Sequence, residues 1–305
     1  MKVAITGGTG FIGKALSNFL SKKGWNVYIL TRQPYEEHPH PNIHYVQWNV
    51  NTKTFPLSAV DVVINLAGES LNNKRWTAKQ KEHILISRTH TTKQLIKQLQ
   101  KLEIKPHTFI NASAIGYYGT SEIKSFTEHT EEHGPDFLAH TVKQWEEEAS
   151  EAASFGVRTI YARFGIVLGK DGGALSKMLL PYQFFIGGTV GSGRQWLSWI
   201  HLEDAIRMIH FAMETKEIQG ALNITSPNPA TMKEFGKTIA QVIHRPHWLP
   251  IPSFALQALL GEMSMLVLQG QHVVPNKAVQ HGFKHSFPYL KEALQQIITK
   301  EQYYV

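Results

Sequence analysis

A chain of 305 residues that is 42% hydrophobic carries enough apolar material for a substantial core and is not a disordered protein. It contains no cysteine, which excludes disulfides, thiolate metal sites and cysteine nucleophiles and makes a reducing cytoplasm the expected compartment. The net charge of +7 comes from scattered residues with no basic tract longer than Lys22-Lys23, so it suits a solvated surface biased toward anionic small molecules and not a nucleic-acid partner.

Lys2–Thr6 is a short apolar run that ends in glycines, the pattern of a buried strand and not of a cleavable signal. Ile12–Leu20 has helical spacing, and Val27–Thr31 is again a strand. Ile43–Gln47, Val60–Asn65, Thr108–Ala112 and Thr159–Arg163 continue the strands, with helices at Ala78–Leu102 and Phe137–Phe155 between them. Such alternation predicts an α/β fold, a doubly wound parallel sheet of the Rossmann type, over residues 1–165 with 202–223 returning to it. After Arg163 the chain becomes rich in glycine, aromatics and proline, which predicts a smaller mixed α/β C-terminal lobe from 166–201 and 224–305. Helices are expected at Leu202–Met213, Thr231–Val242, Phe254–Leu268 and Tyr289–Thr299. The oily stretch Phe254–Leu268 is interrupted by Gln257, Gly261, Glu262 and Ser264 and is too short to span a bilayer, so no membrane is expected as a partner.

The segment Thr6-Gly7-Gly8-Thr9-Gly10-Phe11-Ile12-Gly13 follows the first strand and opens the first helix. A turn this tight needs Gly7; Gly10 lets the backbone approach a pyrophosphate; Gly13 lets the helix pack closely. The N–H groups and positive dipole end of the helix then face the phosphates, which makes Gly7, Thr9, Gly10, Phe11, Ile12 and Gly13 the expected dinucleotide cradle. Strand two ends in Thr31-Arg32 where an NAD site has an acidic residue, about 20 residues past the glycines. A guanidinium there pairs with a 2′-phosphate, so the expected cofactor is NADP(H), held by Thr31 and Arg32; the plainer alternative is a surface arginine.

Together with the glycine turn, Asn65-Leu66-Ala67-Gly68-Glu69, Ser113-Ala114-Ile115-Gly116-Tyr117-Tyr118-Gly119, Trp145-Glu146, Arg163-Phe164-Gly165-Ile166-Val167-Leu168-Gly169, Gly191-Ser192-Gly193-Arg194-Gln195-Trp196 and Trp199-Ile200-His201 resemble the extended short-chain dehydrogenase/reductase superfamily. More narrowly, the chain resembles the atypical "epimerase family protein" group, over essentially its whole length. The resemblance implies that Leu66, Ala67 and Gly68 border the cofactor. It also implies a catalytic tyrosine, a lysine four residues later and a serine. Lys143 stands at the lysine position, whereas the tyrosine and serine positions fall on Ala139 and Ala114. Lys143 is then expected to hold the nicotinamide ribose, and the proton to come from Tyr117, Tyr118 or Ser113 at the same sheet edge.

Arg88 stands near the expected nicotinamide end and suits a substrate carboxylate or phosphate, or equally a helix surface. Glu69, at a strand's carboxyl end, is a candidate proton carrier or a loop carboxylate. By resemblance Gln195, Trp196 and Trp199 would wall the substrate. His201 with Asp204 reads as a structural pair at a helix start more than as an acid/base. No histidine pair has metal-ligand spacing with acidic partners, so no metal is expected. The expected function is an NADP(H)-dependent oxidoreductase or epimerase acting on a small, anionic or sugar-like substrate. The alternative is a non-catalytic NADP(H)-binding redox sensor or scaffold, and the oligomeric state stays open.

Overall fold

The first strand, β1 (Lys2–Thr6), runs directly into the glycine turn and α1 (Phe11–Lys22), followed by β2 (Asn26–Thr31), β3 (Ile43–Gln47) and β4 (Val62–Asn65). Next come α2 (Ala78–Gln100), β5 (Thr108–Ala114), β6 (Ser125–Phe126), α3 (Phe137–Ser150) and β7 (Arg158–Phe164). These and the elements below belong to a computed structural model that describes residues 1–33, 40–52, 54–72 and 74–299; residues 300–305 of the expected lobe lie outside the described residues. The second half contains β8 (Ile166–Leu168), α4 (Leu175–Gln183), β9 (Trp196–Leu197), β10 (Trp199–His201), α5 (Leu202–Glu214) and β11 (Gly220–Ile224). It closes with β12 (Ala230–Thr231), α6 (Met232–Val242), α7 (Ser253–Leu260), α8 (Met265–Leu268), β13 (His272–Val273), α9 (Asn276–Gln280) and α10 (Leu290–Thr299).

Among the described residues seven strands form one sheet in the order β11-β7-β5-β4-β1-β2-β3, every neighbouring pair parallel. The alternation of side chains distributes each strand between two cores. Val3, Ile5, Val62, Ile64 and Ile110 face α1 and α5, where Leu16, Leu20, Ile206 and Ile209 meet them. Ala4, Val63 and Phe109 face the other side, against Leu95, Ile96 and Leu99 of α2 and Ala149 of α3. The sheet is therefore covered on both faces, the Rossmann arrangement expected from the chain pattern. From β1 the chain builds outward through β2 and β3, then returns to place β4 on the other side of β1. That reversal opens a crevice at the carboxyl ends of β1 and β4.

A further core joins α4, α6 and α10 through Leu175, Tyr182, Phe235, Ile239, Leu294 and Trp199. Two parallel strands, β8 and β10, link the cores, since Val167 and Ile200 pack on the sheet side while Leu168 and Trp199 pack on the lobe side. The helix expected over Phe254–Leu268 is interrupted. Gly261, at φ +60°, ends α7, and a 3-10 turn, Gly261–Ser264, intervenes before α8. Left-handed backbone is accessible to glycine, which explains the break at this residue. Likewise α3 stops at Ser150, and Glu151–Phe155 is a 3-10 turn. The helix α4 was not expected, because Pro181 lies inside it and its apolar residues are set among glycines.

Candidate functional site

The glycine turn and the Leu66-Ala67-Gly68 turn face each other across the crevice. Gly7 adopts φ +68°, and a β-carbon on it would stand 2.7 Å from the carbonyl carbon of Leu66. A β-carbon on Gly13 would meet the Gly7 carbonyl oxygen at 2.2 Å, so that glycine lets the first turn of α1 lie on the turn before it. Gly10 is different. Its backbone, at φ −78° and ψ 177°, is open to any residue, and an added β-carbon would find only the Gly7 carbonyl oxygen, at 3.3 Å. Gly10 is also the N-cap of α1, and no side chain caps this helix. The helix end thus presents backbone donors across open space, the arrangement that suits a phosphate.

This space is a cleft of about 670 Å³ lined by Gly7, Gly10, Phe11, Ile12 and Gly13 from the turn and α1, and by Leu66, Gly68 and Glu69 after β4. Ser113 in β5 and Gly116 after it, Leu138, Thr141, Val142 and Trp145 of α3, and Trp196, Met232, Met265 and Leu266 of the lobe are among the other lining residues. The glycines Gly169, Gly172 and Gly173 fold over Phe11, whose ring would lie 2.7, 2.7 and 3.1 Å from their β-carbons. That contact accounts for a glycine cluster whose purpose the sequence did not disclose. Thr9 and Ala67 belong to the two facing turns but not to the lining. Thr31 and Arg32 end β2, the strand beside β1; Arg32 is exposed, and the Thr31 hydroxyl donates to the Gln33 carbonyl at 3.1 Å.

Beneath the cleft runs a buried polar network. The Thr6 hydroxyl donates to Asn65 Oδ1 at 2.5 Å, and Asn65 Nδ2 donates to Asn111 Oδ1 at 2.7 Å and to Thr92 Oγ1 at 2.9 Å. Trp145 Nε1 donates to the same threonine oxygen at 2.9 Å, which ties α3 to α2. In the sequence Thr6, Asn65 and Trp145 stand only as parts of longer motifs, and none of these residues is assigned a role. The available signal was an asparagine in each of two apolar strands, at the end of β4 and in the middle of β5, paired in register as Asn65 and Asn111.

Ser113 is buried on the cleft wall, and its hydroxyl donates to Glu146 Oε1 at 2.5 Å. Arg163 grips the same carboxylate through Nε and Nη2, both at 2.8 Å, in a pair with side chains 5% and 8% exposed. Burial opposes the charge on Arg163, but the hydrogen bonds and charge of Glu146 outweigh it and hold the guanidinium above its ordinary pKa. Its plane lies 3.6 Å from the centre of the Tyr117 ring.

The tyrosines are not brought to the cleft. Tyr118 is buried and donates to Asn223 Oδ1 at 2.8 Å, and burial raises its pKa. Tyr117 donates to the Glu131 carbonyl at 2.8 Å. Nor is Lys143, which lines a groove between α2 and α3 and stands 3.7 Å from Glu147. The reason is helical phase: residues advance about 100° each, so Leu138, Thr141, Val142 and Trp145 take the cleft face while Lys143, one position on, turns outward. Ala139 is fully buried.

Of the expected substrate residues, Arg88, Glu69 and Trp196 line the cleft. Arg88 donates to the carbonyls of Ile84 at 3.0 Å and Glu69 at 2.9 Å, and burial lowers its pKa to about 10. Glu69 accepts from Gln80 Nε2 at 3.0 Å. Trp196 donates to the Glu122 carbonyl at 2.9 Å. Gln195 does not reach the cleft; it is buried and donates to the carbonyls of Val190 and Val267 at 3.0 and 2.9 Å. His201 caps α5 through the Glu203 N–H at 3.1 Å, and buried Asp204 accepts from the N–H groups of Ser286 and Phe287, both at 2.8 Å. Among the described residues no cluster of three or more potential ligands suits a metal ion, and no helix is long and apolar enough to cross a membrane.

Residues 3–225 match the NAD dependent epimerase/dehydratase family, and residues 251–297 match a Domain of unknown function (DUF1731). The chain is 50% identical over 302 residues to Epimerase family protein YfhF of Bacillus subtilis, covering 98% of each chain. It is similar in structure to the human epimerase family protein SDR39U1 with NADPH, at a TM-score of 0.89 and 33% identity, covering 98% of this chain and 99% of that one. UDP-glucuronic acid 4-epimerase from Bacillus cereus, in complex with UDP-glucuronic acid and NAD, shares the fold at a TM-score of 0.79 and 18% identity, covering 99% and 100% of the two chains. With a cleft at the sheet reversal and relatives that match nearly end to end, the chain belongs to the NAD dependent epimerase/dehydratase family.

Proposed function

We propose that the protein is an NADP(H)-dependent oxidoreductase or epimerase-like enzyme of small molecules. The observation that carries this reading is Gly10: its backbone angles do not require glycine, an added β-carbon would meet only the Gly7 carbonyl oxygen, at 3.3 Å, and beyond that contact the uncapped helix end opens onto the cleft, with room for a ligand. Phe11, Ile12 and Gly13 would offer backbone donors to the diphosphate, and Leu66 and Gly68 would border the other side. Arg32, at the end of β2, supports the phosphorylated cofactor over NAD, in keeping with the NADPH of the human relative. When bound, the nicotinamide supplies or takes up a hydride. In this reading Ser113, whose proton is engaged by Glu146, presents a lone pair to the cleft and orients a substrate hydroxyl. Glu69 is the cleft-facing carboxylate that can hold or release a proton at Oε2.

A second reading, a non-catalytic NADP(H)-binding sensor or scaffold, is favoured by one observation: Ala114 and Ala139 carry no hydroxyl, and Tyr117, Tyr118 and Lys143 are directed elsewhere. Gly10→Val tests the binding that both readings share. Calorimetric titration with NADPH should show at least tenfold weaker binding, about 1.4 kcal/mol, with a cooperative melt retained. Unchanged affinity would remove the basis for the cofactor reading. With binding established, Glu69→Gln and Ser113→Ala should each lower turnover by about 10²-fold or more if the protein is an enzyme.

A further inference from the structure

Beyond the cofactor, and resting on that reading, we infer that the lobe-side half of the cleft takes a small, uncharged, apolar carbonyl or alcohol compound, not a nucleotide sugar. Its large walls are Leu71, Leu138, Trp196, Met232, Met265 and Leu266, with the uncharged polar Ser198, Gln269 and Gln271 beside them. Methionines and leucines of this kind adapt to an apolar ligand by dispersion and by release of water, and they offer nothing to a phosphate.

The charge of the cleft points the same way. Among the described lining residues Arg88 is the one cation, and both its terminal nitrogens already donate to the carbonyls of Ile84 and Glu69. The two anions are Glu69 and Asp136, and Asp136 accepts from the Leu138 and Ala139 N–H groups as the cap of α3. A second diphosphate would need unengaged, converging cations, because burying phosphate charge without partners is costly. The described charged side chains that line the cleft besides Arg88 are these two carboxylates. This departs from the anionic or sugar-like expectation. The same cleft must also hold the dinucleotide, which leaves room only for a small compound.

The cover of this half is lightly packed. Met265 and Leu266 belong to the α7–α8 segment, and neither of its helices has a buried residue, with Phe254 74% and Leu259 65% exposed. Polar ties hold the segment on the body: Arg75 donates to the carbonyls of Ala258 and Leu259, and Lys81 pairs with Glu262. The ties of α7 lie at the surface and are individually weak, so α7 is the part that can lift to admit a ligand, whereas buried Gln195, which donates to the Val267 carbonyl, keeps α8 with Met265 and Leu266 in the wall.

Calorimetry on the full chain saturated with NADPH or NADP⁺ tests the inference. The probes are cyclohexanone, 2-octanone and benzaldehyde on one side, and UDP-glucose and UDP-glucuronic acid on the other. At least one apolar carbonyl should bind, with affinity lowered tenfold or more in Leu266→Glu and in Met265→Glu, while the NADPH affinity of both variants matches wild type. Both positions are half-buried on the cover, and a thermal melt identifies any variant that fails to fold. Binding of either UDP-sugar to the loaded protein would overturn the inference, as would silence from all three carbonyls or indifference of carbonyl binding to both folded variants. Failure of NADPH itself to bind would instead overturn the cofactor reading, and the inference with it.

Discussion

Arg32 stands exposed at the end of β2, beside the strand that leads into the glycine turn, and its value depends on one phosphate. Arg32→Ala should weaken NADPH by about 1.5–3 kcal/mol, the worth of a charge-assisted hydrogen bond, and leave NADH nearly unchanged. Calorimetric titration of both proteins with both cofactors checks this, and equal losses would separate Arg32 from the 2′-phosphate. Tyr118 makes the opposite kind of case. Its hydroxyl satisfies buried Asn223, so Tyr118→Phe should cost about 1–3 kcal/mol in urea unfolding and leave the affinity for NADPH intact. A stable variant with altered NADPH binding would put the hydroxyl in the site after all. Position in sequence showed that Tyr117 and Tyr118 reach the right sheet edge. It did not show which way their hydroxyls turn, because that is decided by Glu131 and Asn223, residues 14 and 105 positions away.

At the scale of elements, the strands of the first half were legible: Lys2–Thr6, buried from its second residue on, and the edge strand Ile43–Gln47, which exposes His44 and Gln47, both form with the bounds their sequence pattern gives. Two-residue strands such as β6, β9, β12 and β13 carry no period, so nothing in composition marks them. The existence of α3 was equally plain, but its functional face was not. One residue of helical phase separates Val142, which lines the cleft, from Lys143, which does not. What locks α3 to the sheet is the Glu146–Arg163 pair with β7. Removing one partner leaves the other charged and buried, so Arg163→Ala should destabilise the fold by about 3–5 kcal/mol in urea unfolding. Glu146 also holds the Ser113 hydroxyl, so Glu146→Gln should alter turnover more than NADPH affinity. A loss in Arg163→Ala no larger than that of an exposed lysine variant would mean the pair does not anchor the helix.

Taken as a whole, the molecule places one cleft between a sheet and a smaller lobe. The lobe's existence and its helices α6 and α10 were legible in the sequence, while the way its segments pack was not. The sheet is local: each β-α unit declares itself through its own period and turn. The lobe gathers Leu175, Phe235 and Leu294 from segments far apart in the chain, and only the folded structure brings Met232, Met265 and Leu266 opposite the glycine turn. If the cleft performs as proposed, the dinucleotide joins the two halves and should stabilise both together. A tenfold preference for one cofactor corresponds to about 1.4 kcal/mol, well within calorimetric reach. Titration of the full chain with NADPH and, separately, with NADH is the most direct measurement. One NADPH per chain, bound at least tenfold more tightly than NADH, is expected; no binding of either dinucleotide, or NADH bound as tightly as NADPH, would contradict it.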